Sequence, residues 1–254
     1  RACDVVLSPS LASDQALAEI GMPAELIMRW DRGVDTSRFD PALRDRGPLD
    51  NGDGAGYWDG DGYWDRDEEA INVMYSGRIT REKGAELLAD AFMAARAREP
   101  RLHLVLAGGG PEQERLRERV GDEHATFLGW LSGDELPRAY ARADMFLFPS
   151  QTDTFGQVIL EAQASGLPVI AVAEGGPVSL IEHRVSGLLC QARAGELAGA
   201  VLELAGSPLL GERLSAAGLA SARTRTWERA LQRLGDGYAR ALSSAHTGSL
   251  ARAA

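Results

Sequence analysis

The sequence predicts an α/β domain with a doubly wound parallel sheet. From Ile71 to about Cys190, short runs rich in Val, Ile and Leu alternate with amphipathic helical patterns. Strands that are almost continuously apolar are typical of parallel sheets, because helices cover both faces of such sheets. With 254 residues, of which 44% are hydrophobic, the chain is long enough to bury a full core. Ligands of this fold bind at the carboxyl ends of the strands.

Six strands are predicted from apolar runs in this region. In chain order the runs are INVMYSGR, LHLVLAGGG, ATFLGW, DMFLFPS, PVIAVA and GLLC. Five helices are predicted between them, from GAELLADAFMAARAREP, PEQERLRERV, SGDELPRAYARA, TFGQVILEAQAS and PVSLIEH. This alternation is what places helices on both faces of the predicted sheet.

Proline, glycine and capping residues predict some of the helix ends. Pro111 suits the first position of the second helix. Thr154, followed three residues later by Gln157, fits a capping box and would start the fourth helix near Phe155. Gly166 then ends that helix, and the proline two residues later prevents its continuation.

Four segments are predicted along the chain. Residues 1–46 hold one further strand-helix-strand piece, and residues 47–70 are an acidic insertion rich in Gly and Asp. Residues 71–225 form the sheet domain, and residues 226–254 form a C-terminal helix with a frayed tail. The sequence begins without Met and without a signal-peptide pattern, so we expect it to be the middle of a longer chain.

The insertion contains an imperfect six-residue repeat that starts at Tyr57 and again at Tyr63. A calcium loop beginning at Asp59 would have an oxygen ligand at its fifth position and Gly at its sixth, where Tyr63 and Trp64 stand instead. We therefore interpret the stretch as a surface insertion. A protein-interaction role for it is the alternative.

Net charge and cysteine content narrow the classes of function. The formal net charge is −10, and a field of this sign repels nucleic acids and anionic membrane surfaces. Cys3 and Cys190 fit neither a disulfide framework nor a metal-ligand spacing, so we expect reduced thiols in a cytoplasmic protein. No apolar run approaches the roughly 20 residues that a membrane-spanning helix needs. An anionic ligand would need a few local cations and backbone donors.

The first candidate loop follows the first predicted strand of the domain and reads SGRITREKG. Gly77 lets the backbone turn, and Arg78 and Lys83 lie five positions apart. The planar fork of an arginine and the point charge of a lysine together suit a diphosphate. The alternative is that these cations only solvate a loop.

The second candidate loop, AGGGPE, lies between a strand and a helix. Its consecutive glycines, with Gly109 and Gly110 at the centre, would allow a ligand to approach the backbone closely. The loop is not a G-x-G-x-x-G motif, so a nicotinamide dinucleotide is poorly supported. A tight turn without a ligand is the alternative.

The third candidate loop leads into the fourth helix. Unpaired N–H groups at the start of a helix favour an anion. Glu161 lies one turn beyond Gln157, where a carboxylate would accept hydrogen bonds from two ribose hydroxyls. Asp153 would do the same for a sugar. The alternative is that Asp153 caps the helix and Glu161 is a surface residue. Taken together, the three loops predict a sugar-nucleotide site.

These motifs resemble the nucleotide-sugar-binding half of a GT-B glycosyltransferase of the retaining family 4. The resemblance rests on SGRITREKG, LVLAGGGPE, FLGWLS, ADMFLFPS, DTFGQVILEAQASGLPVIA, GGP and SGLLC, in the order and spacing of the family. The stretches VVLSPS and RGVDTSRFDP resemble the passage from the acceptor domain of the family into this one. The resemblance covers nearly all of the chain except residues 47–69 and the last residues.

The resemblance implies a role for each candidate residue. Arg78 and Lys83 would neutralise the departing diphosphate, Glu161 would hold the ribose, and Asp153 would face the sugar. Further binding positions are implied for Gly77, Gly109, Gly110, Leu131, Thr154, Phe155, Gly156 and Gln157. The implied reaction transfers a hexose with retention, chiefly by stabilising the leaving diphosphate.

The implied donor is a GDP- or UDP-linked hexose, with GDP-mannose favoured, and no metal is implied. The acceptor would be a glycan or a lipid bound by a missing domain, with no nucleic acid partner. The implied location is cytoplasmic, including the inner face of the plasma membrane. A non-catalytic nucleotide-sugar-binding module is the alternative, because the acceptor domain is missing and because Asp153 stands where the family usually has Glu.

Overall fold

The computed structural model describes residues 3–44 and 69–252, with side chains up to residue 243. Most of the acidic insertion, including its Tyr/Trp repeat, lies outside the described residues. The strands within the described ranges are β1 Val6–Ser8, β2 Ile27–Arg29, β3 Ile71–Ser76, β4 Leu102–Ala107, β5 Ala125–Gly129, β6 Met145–Phe148, β7 Val169–Val172 and β8 Leu188–Cys190. The helices are α1 Leu11–Glu19, α2 Ala85–Arg96, α3 Gln113–Val120, α4 Glu135–Arg142, α5 Gln157–Ala164, α6 Pro177–Leu180, α7 Ala194–Ala205, α8 Pro208–Arg223 and α9 Trp227–Arg252.

The six predicted strands form one parallel sheet in the order β5-β4-β3-β6-β7-β8. The chain moves outward from β3 to β5 and then returns to the other side of β3. This order has the reversal point of a doubly wound fold, so the predicted fold class is confirmed.

Residues of a strand face opposite sides of the sheet in alternation, and both sides are covered. Val73 and Tyr75 pack into a core that includes buried residues of α2, α3 and α7. Met74, between them, packs into a second core with buried residues of α4 and α5. The strand is apolar on both faces because each face meets helices.

The start of α3 differs from its prediction. The helix begins at Gln113, so Pro111 does not occupy its first position but lies in the preceding turn. The N–H of Glu112 donates to the carbonyl of Ile79 at 3.1 Å. This bond joins the turn that contains Pro111 to the loop after β3, and the helix begins after that turn.

The start of α5 also differs, and the predicted capping box is absent. The helix begins at Gln157, and Gly156 precedes it with φ +84°, a left-handed conformation that ends the turn before the helix. Thr154 is exposed and does not cap the helix. The predicted end is confirmed, because Gly166 adopts φ +77° and its N–H donates to the carbonyl of Gln163 at 3.1 Å.

The first segment packs against the end of the chain. Strands β1 and β2 pair with each other in parallel and form a separate two-stranded sheet. Val34 N–H donates to the carbonyl of Arg225 at 2.9 Å, so the two segments cross in direct backbone contact. A Cβ on Gly237 of α9 would lie 2.6 Å from Leu7, which places this helix against β1. Among the described residues, no helix has the length and apolar content needed to cross a membrane.

Candidate functional site

The candidate site lies where the strand order reverses, between β3 and β6. The loops that follow these strands, residues 77–84 and 149–156, meet at this point. Lys83 Nζ of the first loop forms an ion pair with Asp153 Oδ2 of the second at 2.8 Å. A Cβ on Gly84 would lie 2.6 Å from a backbone oxygen of the second loop, so the backbones are also in contact. Two predicted site residues that are 70 positions apart are therefore brought together.

Asp153 is held from two sides. Its Oδ2 accepts from Lys83, and its Oδ1 accepts from the N–H groups of Phe155 at 3.0 Å and Gly156 at 2.6 Å. Burial alone would raise the pKa of Asp153, but the hydrogen bonds from Lys83 and the two N–H groups outweigh it and lower this pKa. The carboxylate is therefore ionised at neutral pH. It shapes the turn before α5 but makes no capping bond to the helix itself, so Asp153 is not the helix cap that the sequence left open.

Arg78 occupies the outer rim of the first loop. Its Nη2 lies 2.9 Å from Glu82 Oε1, and both side chains are more than half exposed. Exposed ion pairs of this kind contribute at most about 1 kcal/mol, so a phosphate could displace Glu82 at little cost. The buried Tyr75 donates its hydroxyl to the carbonyl of Arg78 at 2.7 Å, which fixes the backbone that carries the guanidinium.

The glycine-rich loop packs against the first loop instead of lying open. A Cβ on Gly108 would lie 2.0 Å from the carbonyl oxygen of Gly77, and one on Gly110 would lie 2.3 Å from that of Ile79. The N–H of Ile79 donates to the carbonyl of Gly109 at 3.0 Å. The close approach that these glycines permit is thus made, at least in part, by the chain's own backbone.

The position near Leu131 combines buried backbone with an exposed ring. Trp130 is 69% exposed, and its Nε1 lies 3.0 Å from where a Cβ on the buried Gly109 would stand. Leu131 is half-buried beside it. The rim after β4 and β5 therefore presents an indole next to a glycine backbone.

Glu161 lies on α5 and is held by a residue that the sequence analysis missed. The hydroxyl of Tyr140, which is fully buried on α4, donates to Glu161 Oε2 at 3.1 Å. Burial raises the pKa of Glu161, and the hydrogen bond from Tyr140 opposes that rise. Burial also raises the pKa of Tyr140, so this hydroxyl remains a donor at neutral pH. The two residues are 21 positions apart, and no local sequence pattern links them.

A glycine pair after β7 supports the loop that carries Asp153. The N–H of Gly176 donates to the carbonyl of Asp153 at 2.8 Å. A Cβ on Gly176 would lie 2.4 Å from the backbone of Phe155, and one on Gly175 would lie 2.4 Å from the carbonyl of Asp153. Only glycine allows this contact, and the GGP motif in the sequence was its one signal.

Gln157, at the first position of α5, connects the site to the first segment. Its Nε2 donates to the carbonyl of Gly33 at 3.1 Å. Its Oε1 is buried and has no partner among the described residues. A buried acceptor of this kind is available to a hydroxyl or N–H of a ligand.

The rim as a whole offers cations, fixed backbone turns and hydroxyl acceptors. Arg78 and Lys83 supply positive charge, and carboxylates are supplied by Asp153 in the loop before α5 and by Glu161 within that helix. Among the described residues, no three or more His, Cys, Asp or Glu side chains are placed to hold a metal. This arrangement suits a ligand that carries both phosphates and vicinal hydroxyls.

Comparison with known proteins places the chain in a family. The glycosyl transferases group 1 family matches residues 70–207, which is more than half of the chain. The chain belongs to this family. The match begins just before β3 and ends after α7, so it contains all three loops of the rim.

Curated relatives of this glycosyl transferases group 1 chain include several mannosyltransferases. A GDP-mannose-dependent alpha-mannosyltransferase of Corynebacterium glutamicum is 38% identical over 187 residues, which cover 74% of this chain and 40% of the relative. A sulfoquinovosyl transferase of Arabidopsis thaliana is 36% identical, covering 74% of this chain and 34% of the relative. A GDP-mannose-dependent alpha-(1-6)-phosphatidylinositol monomannoside mannosyltransferase of Mycobacterium tuberculosis is 34% identical, covering 79% of this chain and 52% of the relative. The chain thus spans about half or less of these relatives.

Solved structures show the GT-B fold in similar proteins. A sucrose-phosphate synthase of Thermosynechococcus elongatus is 27% identical with a TM-score of 0.76, and 95% of this chain and 59% of that chain are covered. Anabaena HepE, solved in complex with UDP and glucose, is 24% identical with a TM-score of 0.76. The match covers 93% of this chain and 63% of HepE. The fold expected from the resemblance is therefore confirmed.

Proposed function

We propose that this chain supplies the donor-binding half of a retaining hexosyltransferase. The enzyme would transfer a hexosyl group from a nucleotide-diphosphate sugar to a glycan or glycolipid acceptor with retention of anomeric configuration. The observation that carries the proposal is the meeting of Lys83 and Asp153 at the reversal point of the sheet. Arg78 on the same rim and the buried Glu161 on the adjoining helix supply the remaining groups.

In this proposal the two cations act on the leaving diphosphate. As the bond between the sugar and the diphosphate breaks, negative charge grows on the phosphate oxygens. Lys83 leaves its ion pair with Asp153 and binds a phosphate oxygen. Arg78 likewise leaves its ion pair with the exposed Glu82 and binds a phosphate oxygen. Preorganised charges of this kind are usually the largest single contribution to such a reaction.

The two carboxylates bind hydroxyl groups in the same proposal. Glu161 accepts from the two ribose hydroxyls, and Tyr140 fixes the orientation of its carboxylate for this role. Asp153 faces the sugar, although its carboxylate is one methylene shorter than the Glu that is usual in the family. The backbone of Phe155, Gly156 and Gln157 lies against the phosphates and the sugar.

GDP-mannose is the donor that we favour, and a UDP-sugar is the second choice. Two of the curated relatives described above are named for GDP-mannose, and this supports the first. Anabaena HepE was solved with UDP, which supports the second. We also propose that no metal takes part, that no nucleic acid is a partner, and that the protein acts in the cytoplasm, including at the inner face of the plasma membrane.

A second candidate function is a nucleotide-sugar-binding module without transferase activity. It is favoured by the strong engagement of Asp153 with Lys83 and the turn before α5, which leaves this carboxylate occupied. A transfer assay distinguishes the two candidates.

The assay mixes the chain with a separately produced acceptor domain of a relative, and adds GDP-mannose or UDP-glucose as the donor and octyl α-mannoside as the acceptor probe. An α-linked product, identified by proton NMR, is expected from GDP-mannose. Saturable donor binding without any product would support the second candidate. A β-linked product would contradict retention.

A further inference from the structure

An arginine-lined cavity lies between the first segment and the start of α9. Its volume is about 400 Å³. Five arginines line it, namely Arg29, Arg32, Arg225, Arg229 and Arg233. Asp31 is the single acidic residue among its lining residues, all of which belong to the described part of the chain. Phe155 also contributes to the wall, but Arg78, Lys83 and Glu161 do not.

Carboxylates only partly neutralise these arginines. Asp31 is shared, because its Oδ2 lies 3.8 Å from Arg225 and its Oδ1 contacts Arg233. Arg29 pairs with Asp14, which lies outside the lining. Two carboxylates thus serve three of the five guanidinium groups.

The other two arginines have no acidic partner within residues 3–44 and 69–243. The Cζ atom of Arg32 lies 5.9 Å from the centroid of the Phe155 ring, and Arg229 donates to the carbonyl of Thr224 at 2.9 Å. Both side chains belong to exposed residues and reach the cavity. An excess of positive charge therefore gathers here in a chain whose net charge is −10.

The positive charges of the arginines repel one another, and the pKa of the partly buried Arg225 reflects this repulsion. Burial lowers the pKa of Arg225, Asp31 opposes that change, and Arg233 and Arg29 lower the pKa further. Guanidinium groups nevertheless stay protonated in proteins, so the repulsion is present at neutral pH. An anion that enters the cavity would relieve it.

Further donors point to an oxygen-rich anion. Ser179 adds a hydroxyl group to the wall, and α9 begins beside it at Trp227. The start of a helix carries partial positive charge and favours anions. Arginine forks match the oxygens of a phosphate in pairs. The volume lies within the range of small-molecule sites and exceeds that of a phosphate ion, so there is room for an attached polyol.

We propose that this cavity binds the phosphate group of a phosphorylated polyol, either a free sugar phosphate or a phosphorylated lipid headgroup. Arg32 and Arg229 are its main ligands, because neither has an acidic partner among the described residues. The site adjoins the donor rim at Phe155 but uses none of the charged residues of that rim, and it does not depend on the proposed transfer reaction.

The test is calorimetric titration of the 254-residue chain with inorganic phosphate, at an ionic strength held constant with sodium chloride. A double variant, Arg78→Ala with Lys83→Ala, removes phosphate binding at the donor rim. Saturable one-to-one binding is expected in this background. Arg32→Gln or Arg229→Gln, added to it, should each weaken binding about tenfold, which is the worth of one charge-assisted hydrogen bond.

Arg213→Gln is the matched control, since Arg213 is exposed on α8 and does not line the cavity. It should leave phosphate affinity unchanged, and thermal unfolding should show that all variants are folded. No saturable binding in the double variant, or equal weakening by Arg213→Gln, would overturn the proposal.

Vesicles distinguish the two sources of phosphate. Sedimentation with phosphatidylcholine vesicles that contain phosphatidic acid, abolished by Arg32→Gln and by Arg229→Gln, would identify a lipid headgroup. Phosphate binding without any preference for phosphatidic acid would identify a soluble ligand. If Arg32→Gln and Arg229→Gln leave phosphate binding intact, the cavity is not the site.

Discussion

The ion pair between Lys83 and Asp153 has two roles that a pair of variants can separate. Lys83→Ala and Asp153→Asn both remove the pair and therefore both affect the two loops that it joins. Only Lys83→Ala also removes a cation from the rim. Asp153→Asn keeps an oxygen that can accept from the N–H groups of Phe155 and Gly156, so the turn before α5 is retained.

The expected loss of stability is similar for the two variants. Both side chains are 23% exposed, so the pair lies between exposed pairs, which contribute at most about 1 kcal/mol, and fully buried ones. We expect the free energy of unfolding to fall by about 1–2 kcal/mol, measured by urea denaturation. Because the folded pKa of Asp153 is lowered, this stabilisation is present above its ordinary pKa and is lost as the pH falls through the folded value.

The expected effects on nucleotide binding differ. Lys83→Ala should weaken GDP binding about ten- to hundredfold, because a charge-assisted hydrogen bond to phosphate contributes about 1.5–3 kcal/mol. Asp153→Asn should leave GDP affinity equal to or tighter than that of the unmodified chain, because Lys83 is then free for phosphate. Calorimetry measures both. If Asp153→Asn weakens GDP binding as much as Lys83→Ala does, Lys83 acts only through the ion pair and the reasoning is refuted.

Three further predictions concern the support of the site. Tyr140→Phe should lower stability by about 1 kcal/mol and reduce the preference for GDP over 2′-deoxy-GDP, since Glu161 loses a fixed donor; an unchanged preference would contradict this. That preference should grow as the pH rises through the raised pKa of Glu161, because the ionised carboxylate is the better acceptor, and titration of Glu161→Gln should show no such trend. Gly176→Ala should cost about 1–3 kcal/mol, because its Cβ would meet Phe155, whereas Gly199→Ala, in open space on α7, should stabilise by about 0.5–1 kcal/mol. Equal effects at the two glycines in urea denaturation would count against the contact.

The strands could be predicted because a strand that is buried on both faces is mostly apolar, and a short stretch of sequence shows this. The runs from Ile71 and Leu102 are apolar at most positions, and the structure buries them on both faces. The end of α5 was equally local, since Gly166 with a proline two residues later permits few alternatives.

Contacts between distant segments could not be predicted in the same way. The capping box near Thr154 failed because the left-handed Gly156 delays the helix to Gln157, and Asp153 instead accepts from Phe155 and Gly156 in the turn before it. A local pattern does not show which of several nearby acceptors will be used. The support of Glu161 by a tyrosine on another helix depends on how the two helices pack.

The glycine-rich loop shows a similar limit. From sequence, its glycines indicated close approach but not what approaches. The structure assigns part of that space to the backbone at Gly77 and Ile79, because Cβ atoms on Gly108 and Gly110 would collide with it. Only the packing of two loops from different strands decides this.

The most direct test of the donor rim is a calorimetric titration with GDP and with UDP. It compares the unmodified chain with Arg78→Ala and with Arg81→Ala. Arg81 is the matched control, because it is an exposed arginine of the same loop and pairs with Glu86 at 3.6 Å. We predict saturable binding of one nucleotide that is lost in Arg78→Ala and kept in Arg81→Ala. Equal affinity in all three proteins, or no binding by a folded chain, would contradict the assignment of this rim to the diphosphate.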